Sequence, residues 1–86
     1  MELKQKIVAI LNAAGILIVH SDFEDTATGN VGGILTSASF KGLDEVARQE
    51  LVWEKLKTNL SEEELQHIVS LITVTPDEEK MFKQEA

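Results

Sequence analysis

Cysteine is absent from the chain, and proline occurs only once among its 86 residues. Without cysteine, a disulfide bond, a cysteine-ligated zinc site and a thiol nucleophile are all excluded. No apolar run approaches the roughly 20 residues that a membrane-spanning helix requires. The first residues are charged, but the apolar run after them is interrupted at Asn12 and Gly15 and lacks the pattern of a signal peptide. We therefore expect one cytoplasmic domain over residues 1–86 with no membrane association.

Positive charge is also scarce. Eight lysine and arginine residues face fifteen aspartate and glutamate residues, which gives a formal net charge of −7. Proteins that bind nucleic acids draw much of their affinity from basic side chains that neutralise phosphates, and here the basic residues are scattered. A negative field also repels anionic membranes. The composition therefore disfavours both nucleic acids and anionic lipid surfaces as partners.

The first half of the chain predicts a helix followed by two strands. Apolar residues recur at three- and four-residue steps up to Gly15, which is suited to end the first helix. We predict, in chain order, a strand over residues 16–19 that continues raggedly over 20–23, a flexible loop over 24–33 and a second strand over 34–40.

The second half predicts two helices, a third strand and a last helix. Asp44 is placed to cap a helix that runs to Asn59. Ser61 begins a capping box for a short helix. A β-rich run over residues 67–74 follows, and Pro76 is suited to the first turn of the last helix. The whole order predicts an α+β domain with three strands.

Three short motifs suggest a family. They are, in chain order, Ser37-x-x-Phe40-x-Gly42, then Val46-x-Arg48 followed by Val52-Trp53, then His67 eight residues before Thr75-Pro76. In this order and spacing they resemble the BolA-like family, closely over the C-terminal half and by element order alone over the N-terminal half. The resemblance implies a class II KH-like topology, in which a three-stranded mixed sheet has helices packed on one face.

The resemblance also implies a function. Proteins of this family are non-enzymatic interaction modules, and some share a [2Fe–2S] cluster with a monothiol glutaredoxin. His67 matches the family's histidine before the last strand, which implies that it is a cluster ligand or faces the partner. The implied partner surface comprises Arg48, Gln49, Trp53 and His67. The chain itself is expected to hold no cofactor alone and to be a monomer or weak dimer.

Two departures from the family pattern concern the ligands. The family's Arg-His-Arg triplet reads Arg48-Gln49-Glu50 here, so a histidine and a positive charge are replaced. The loop over residues 24–33 lacks the His or Cys that serves the family as a second cluster ligand. The pattern therefore supports the fold more strongly than it supports cluster binding.

Each candidate residue also has an ordinary structural interpretation. His67 is equally well explained as a surface histidine paired with Glu63 or Glu64. Gln49 interrupts the apolar stripe of its helix, and a hydrogen bond to backbone at the edge of the core would explain it. Trp53 lies on that stripe, so it is either a core residue or an interface anchor.

His20 is a second candidate metal ligand. It lies at the end of the first predicted strand and is followed by Asp22, Glu24 and Asp25. If that strand end lies near His67, His20 could replace the missing loop ligand, or the two histidines could hold a divalent metal with carboxylates. The alternative is an ordinary polar strand end.

The sequence leaves alternatives to the interaction module. A KH-like topology admits a nucleic-acid-binding regulator, yet the G-x-x-G sequence at residues 29–32 joins two predicted strands, whereas KH domains place it between helices. We interpret these glycines as turn residues. A divergent module that has lost cluster ligation and self-associates is a further alternative. No phosphate-binding loop, nucleophile elbow or Cys–His dyad is present, so we expect no enzymatic activity.

Overall fold

The computed structural model describes residues 2–25 and 29–85, with side chains as far as Met81. Its elements follow the predicted order of an α+β domain. They are α1 (Leu3–Ala13), β1 (His20–Asp25), β2 (Val31–Thr36), a 3-10 turn (Ala38–Phe40), α2 (Glu45–Asn59), α3 (Glu62–Gln66), β3 (Ile68–Val74) and α4 (Pro76–Glu85). No helix in the described part of the chain is long and apolar enough to cross a membrane.

The three strands form one mixed sheet with β2 in the centre. β1 pairs with β2 in antiparallel register, and β2 pairs with β3 in parallel register, with an irregularity at Val31 and Gly32. α1 and α2 pack on one face of the sheet and enclose the core. The buried core cluster comprises Ile7, Leu11, Ile16, Leu35, Phe40, Val52, Leu56, Leu60, Ile68 and Leu71.

The predicted caps of the helices are confirmed. The Asp44 carboxylate accepts the N–H of Ala47 at 2.8 Å. Ser61 and Glu64 form the reciprocal capping box, at 3.1 and 3.0 Å. Gly15 adopts a φ of 87°, and the N–H of the next residue returns to the carbonyl of Leu11 at 2.9 Å. These local signals depend on neighbouring residues alone, which is why they could be recognised in the sequence.

The predicted start of β1 is wrong by four residues, whereas the predicted continuation over residues 20–23 is confirmed. Residues 16–19 form no regular strand, and β1 begins at His20. Only Ile16 enters the core, while Leu17 and Val19 are 63% and 65% exposed. The turn at Gly15 sets this course, together with the Asn12 side chain, which accepts the N–H of residue 18 at 2.8 Å. β1 itself is polar because it is an edge strand with one largely solvent-exposed face.

The predicted second strand and loop also need correction. β2 spans Val31–Thr36 and ends where the Ser37 hydroxyl accepts the N–H of Ser39 at 3.0 Å. That turn buries Phe40 completely. β1 ends at Asp25, so residues 24, 25 and 31–33 of the predicted loop belong to strands, and the predicted flexibility of 26–28 lies outside the described residues.

The glycines of the G-x-x-G sequence have structural roles. Gly29 has a φ of 82°, which suits the turn before β2. Gly32 lies within β2 and not in a loop between helices. The helix–helix junction is formed instead by Leu60 and Ser61, which contain no glycine. The interpretation of these glycines as turn residues holds for Gly29, and Gly32 is a strand residue.

Gly33 permits the close approach of β1 to the centre of the sheet. It pairs with Phe23, and a Cβ at Gly33 would lie 2.6 Å from both the carbonyl oxygen of Asp22 and a ring carbon of Phe23. Since backbone cannot easily yield at that distance, only glycine fits.

We expect Gly33→Ala to lower the free energy of unfolding by about 1–3 kcal/mol, because the added methyl group overpacks the strand pair. Urea denaturation measures this change. Gly32→Ala is the matched control, since its Cβ would have its nearest neighbour at 3.4 Å. Equal stability of the two variants would show that the Phe23 contact does not restrict this position.

Candidate functional site

His67 lies at the junction of α3 and β3. It is the residue that ends α3, with a φ of −84° and a ψ of −6°, so β3 begins one residue later than predicted. Its N–H donates to the carbonyl of Glu64 at 3.1 Å, and its carbonyl accepts the N–H of Val31 at 2.7 Å. The backbone of His67 is therefore fixed to both α3 and β2, which holds the half-buried ring at one end of the sheet.

The imidazole ring of His67 is oriented by Asn30. Nδ1 of the ring lies 3.1 Å from Oδ1 of Asn30. Because an amide oxygen only accepts hydrogen bonds, Nδ1 carries the proton and Nε2 carries the lone pair. Among the described residues, Nε2 makes no hydrogen bond. With Nδ1 bound in this way, Nε2 is the ring nitrogen that can ligate a metal or accept a hydrogen bond from a partner.

The alternative pairing of His67 with Glu63 or Glu64 is not observed. Glu64 instead accepts a hydrogen bond from the Lys6 ammonium at 2.6 Å, which joins α3 to α1. This bond, supported by the backbone N–H of Ser61, lowers the pKa of Glu64 to about 2. The ion pair therefore holds α3 in place, and the His67 ring is hydrogen-bonded to Asn30.

Asn30 belongs to the site although none of the three family motifs includes it. Its contact depends on the pairing of Val31 with Ile68, which brings the residue before β2 beside the residue before β3. The two residues are 37 positions apart, so no local pattern reports the contact.

His20 lies at the opposite end of the sheet from His67. It pairs with Thr36, which in turn pairs with Val74 at the end of β3. The length of β2 separates the two histidines, roughly 16 Å at about 3.3 Å per residue. The predicted site shared by His20 and His67 is therefore wrong, because β1 begins at His20 and does not end there.

His20 has a structural partner of its own. Its Nδ1 lies 2.7 Å from a carboxylate oxygen of Glu79, and Thr36 donates to the same oxygen at 2.5 Å. These contacts hold α4 across the end of the sheet face that is opposite α1 and α2. Within the described residues, no three His, Asp or Glu side chains group so as to hold a metal ion.

Arg48 is buried and links three elements. It is 8% exposed, its Nε donates to the carbonyl of Leu43 at 2.9 Å, and its Nη1 donates to the carbonyl of Thr73 at 3.3 Å. Nη1 also forms an ion pair with Glu78 at 2.7 Å, which lowers the pKa of that carboxylate together with the backbone N–H of Thr75. We leave Arg48 out of the partner surface, since its guanidinium is engaged inside the domain.

Gln49 and Trp53 lie along the free edge of β3. The Gln49 amide donates to the carbonyl of Leu71 at 2.8 Å and accepts the indole N–H of Trp53 at 3.0 Å. The structural interpretation of Gln49, a hydrogen bond to backbone at the core edge, is confirmed. The half-buried Trp53 packs against the core and also lines a shallow surface depression with Glu50 and other helix residues.

The order of these contacts shows the direction of α2 along β3. Arg48 reaches Thr73, and Gln49 reaches Leu71. Trp53 lies one turn further toward the end of β3 where His67 is placed. Gln49 and Trp53 therefore follow each other along α2 toward the end of β3 at which His67 lies.

Two solved structures have folds similar to that of this chain. BolA1 from Arabidopsis thaliana is 23% identical, covering 91% of this chain and 96% of that chain with a TM-score of 0.69. The chain has a BolA-like fold. The BolA domain of SufE1 from the same plant is also 23% identical, covering 86% of this chain and 92% of that chain with a TM-score of 0.64. No protein-family model and no curated protein matches the chain.

This BolA-like fold should depend on Arg48. We expect Arg48→Met to lower the free energy of unfolding by about 1–3 kcal/mol, because the carbonyl of Thr73 and the carboxylate of Glu78 lose their partner. Arg48→Lys should recover only part of the loss, since an ammonium cannot make all the bonds of a guanidinium.

Urea denaturation is the measurement, and Lys57→Met on the exposed side of α2 is the matched control. If Arg48→Met unfolds at the same urea concentration as that control, Arg48 does not hold these elements together.

The Lys6–Glu64 pair predicts a dependence of stability on pH. The pKa of Glu64 is lowered on folding, so its contribution is complete above the unfolded value near 4.3 and is lost as the pH falls toward about 2. We expect Glu64→Gln to be less stable than wild type at pH 6. As the pH falls from about 4.5 to about 2, the variant should lose less additional stability than wild type does. Thermal unfolding across this range, with Glu54→Gln as a surface control, measures the effect. Parallel profiles for wild type and Glu64→Gln would contradict it.

Proposed function

We propose that the protein is a non-enzymatic interaction module that binds a monothiol glutaredoxin through the surface around His67. The observation that carries the proposal is the His67 ring, with its Nδ1 held by Asn30 and its Nε2 without a partner among the described residues. This histidine stands where the BolA-like pattern places its histidine before the last strand. The occurrence of the same fold as a domain of SufE1 from Arabidopsis thaliana supports a modular role.

The chain alone does not fit a [2Fe–2S] cluster. Such a cluster takes four protein ligands, which are cysteines or, in one class, two cysteines and two histidines. The sequence has no cysteine, and its other histidine lies at the far end of the sheet. Nε2 of His67 fits as one ligand only, with the remaining ligands from the partner. When bound, a shared cluster would supply redox-active iron.

Gln49 and Trp53 are proposed to extend the contact along the free edge of β3. The Trp53 ring is half-buried, and its indole N–H is already satisfied by Gln49 at 3.0 Å. A partner can therefore cover the ring without leaving a buried donor unpaired. Aromatic side chains held in this way are common anchors at protein interfaces.

The proposal is tested by mixing the protein with a cluster-loaded monothiol glutaredoxin and recording visible circular dichroism. We expect the spectrum to change, because His67 replaces a ligand of the cluster, and we expect His67→Ala to abolish the change. Asn30→Ala should weaken it by about tenfold or more, as loss of a residue that orients a ligand usually does.

His20→Ala is the matched control, since it removes the other histidine from the opposite end of the sheet. Calorimetric titration with cluster-free glutaredoxin measures the protein contact separately. An unchanged spectrum with the wild-type protein, together with equal binding by wild type and His67→Ala, would refute the proposal.

A further inference from the structure

The sheet has a second exposed surface, on the face opposite α1 and α2. We name this surface the outer face; its floor is formed by Gly32, Ile34, Val69 and Ile72. Val69 and Ile72 are 63% and 48% exposed, and Met81 of α4, which is 62% exposed, adjoins Ile72. The floor lies in a shallow groove of about 360 Å³. Contiguous exposed apolar surface of this kind commonly marks a binding site.

Carboxylates border the apolar floor on both sides. Asp22 and Glu24 of β1 line one side, and within the described residues neither forms an ion pair. Glu45 lies beside Ile72 and Met81 on the other side. Arg48 also lines this border, and its charge is paired with Glu78. The side chains that line the floor and this border therefore carry more negative than positive charge.

This charge pattern selects among possible occupants. A second copy of the chain would bring Asp22 and Glu24 against like charges, with a net charge of −7 on each copy. Nucleic acids and anionic lipids are repelled for the same reason. A partner with apolar side chains flanked by lysine or arginine is complementary to both the floor and its borders.

We expect the occupant to be a helix. β2 and β3 are parallel, and helices cover both faces of all-parallel sheets. On the outer face, α4 contacts the row that contains His20, Thr36 and Val74 through the carboxylate of Glu79, and its Met81 lies beside Ile72. Val69 and Ile72 remain largely exposed among the described residues.

We propose that the outer face binds a basic amphipathic helix of a partner protein, whose apolar side chains pack on Ile34, Val69 and Ile72 and whose lysine or arginine side chains pair with Asp22 and Glu24. His67 does not line this site, and the proposal does not depend on the function proposed for that residue.

A synthetic helical peptide of leucine and lysine, with its leucines on one face, is the probe. Fluorescence anisotropy measures its affinity, and amide chemical shifts locate it on the protein. We expect shifts at Gly32, Ser70 and Ile72. Asp22→Lys with Glu24→Lys should weaken binding by about tenfold or more, because two attractive pairs become repulsive. Ile72→Ser should weaken peptide binding at low and at raised salt concentration alike, because it removes an apolar contact.

The matched control is Glu50→Lys with Glu54→Lys, which makes the same change in net charge on the exposed side of α2. His67→Ala should bind the peptide as wild type does, which separates this site from the glutaredoxin surface. Three results would overturn the proposal. The first is an equal loss of peptide affinity in the α2 control, and the second is a set of amide shifts confined to α1 and α2. The third is a dimer in sedimentation that Ile72→Ser abolishes, which would make a second copy the occupant.

Discussion

The attachment of α2 to the free edge of β3 is the constraint on which the rest of the domain depends. Arg48 and Gln49 donate to the carbonyls of Thr73 and Leu71, so an edge that would otherwise expose unpaired backbone is covered by side chains. Arg48 also binds Glu78 and so fixes the start of α4. β3 is held in position by these contacts, and its two ends define where His67 and the α4 contacts lie.

The helices could be predicted from the sequence because their signals are local. Asp44, Ser61 and Gly15 act on backbone groups within a few residues, and all three act as the pattern indicates. The strands were harder to place, since strand position depends on partners far along the chain. The apolar residues 16–19 look more like a strand than the polar β1, whose residue Phe23 packs where Gly33 leaves room. An edge strand with one solvent-exposed face needs few apolar residues.

The site shows the same division between local and distant information. Motif spacing identified His67, but it could not identify Asn30, whose contact requires the register of β2 and β3. The motif also grouped Arg48 with partner-facing residues, although its side chain is buried, while the apolar Val46 two residues earlier is 66% exposed. A motif records which residues occur together and does not distinguish those that stabilise the fold from those that meet a partner. Gln49 breaks the apolar stripe for a structural reason, since it satisfies a strand carbonyl.

The charged residues of β1 also affect what can bind to the outer face. An edge strand beside an exposed apolar surface invites pairing between copies, and charged residues on that strand oppose it. Asp22 and Glu24 point to the same face as Ile34, because alternate residues share a face and Asp22 pairs with Ile34. The same two carboxylates would oppose pairing between copies and would attract the cationic partner proposed for the outer face.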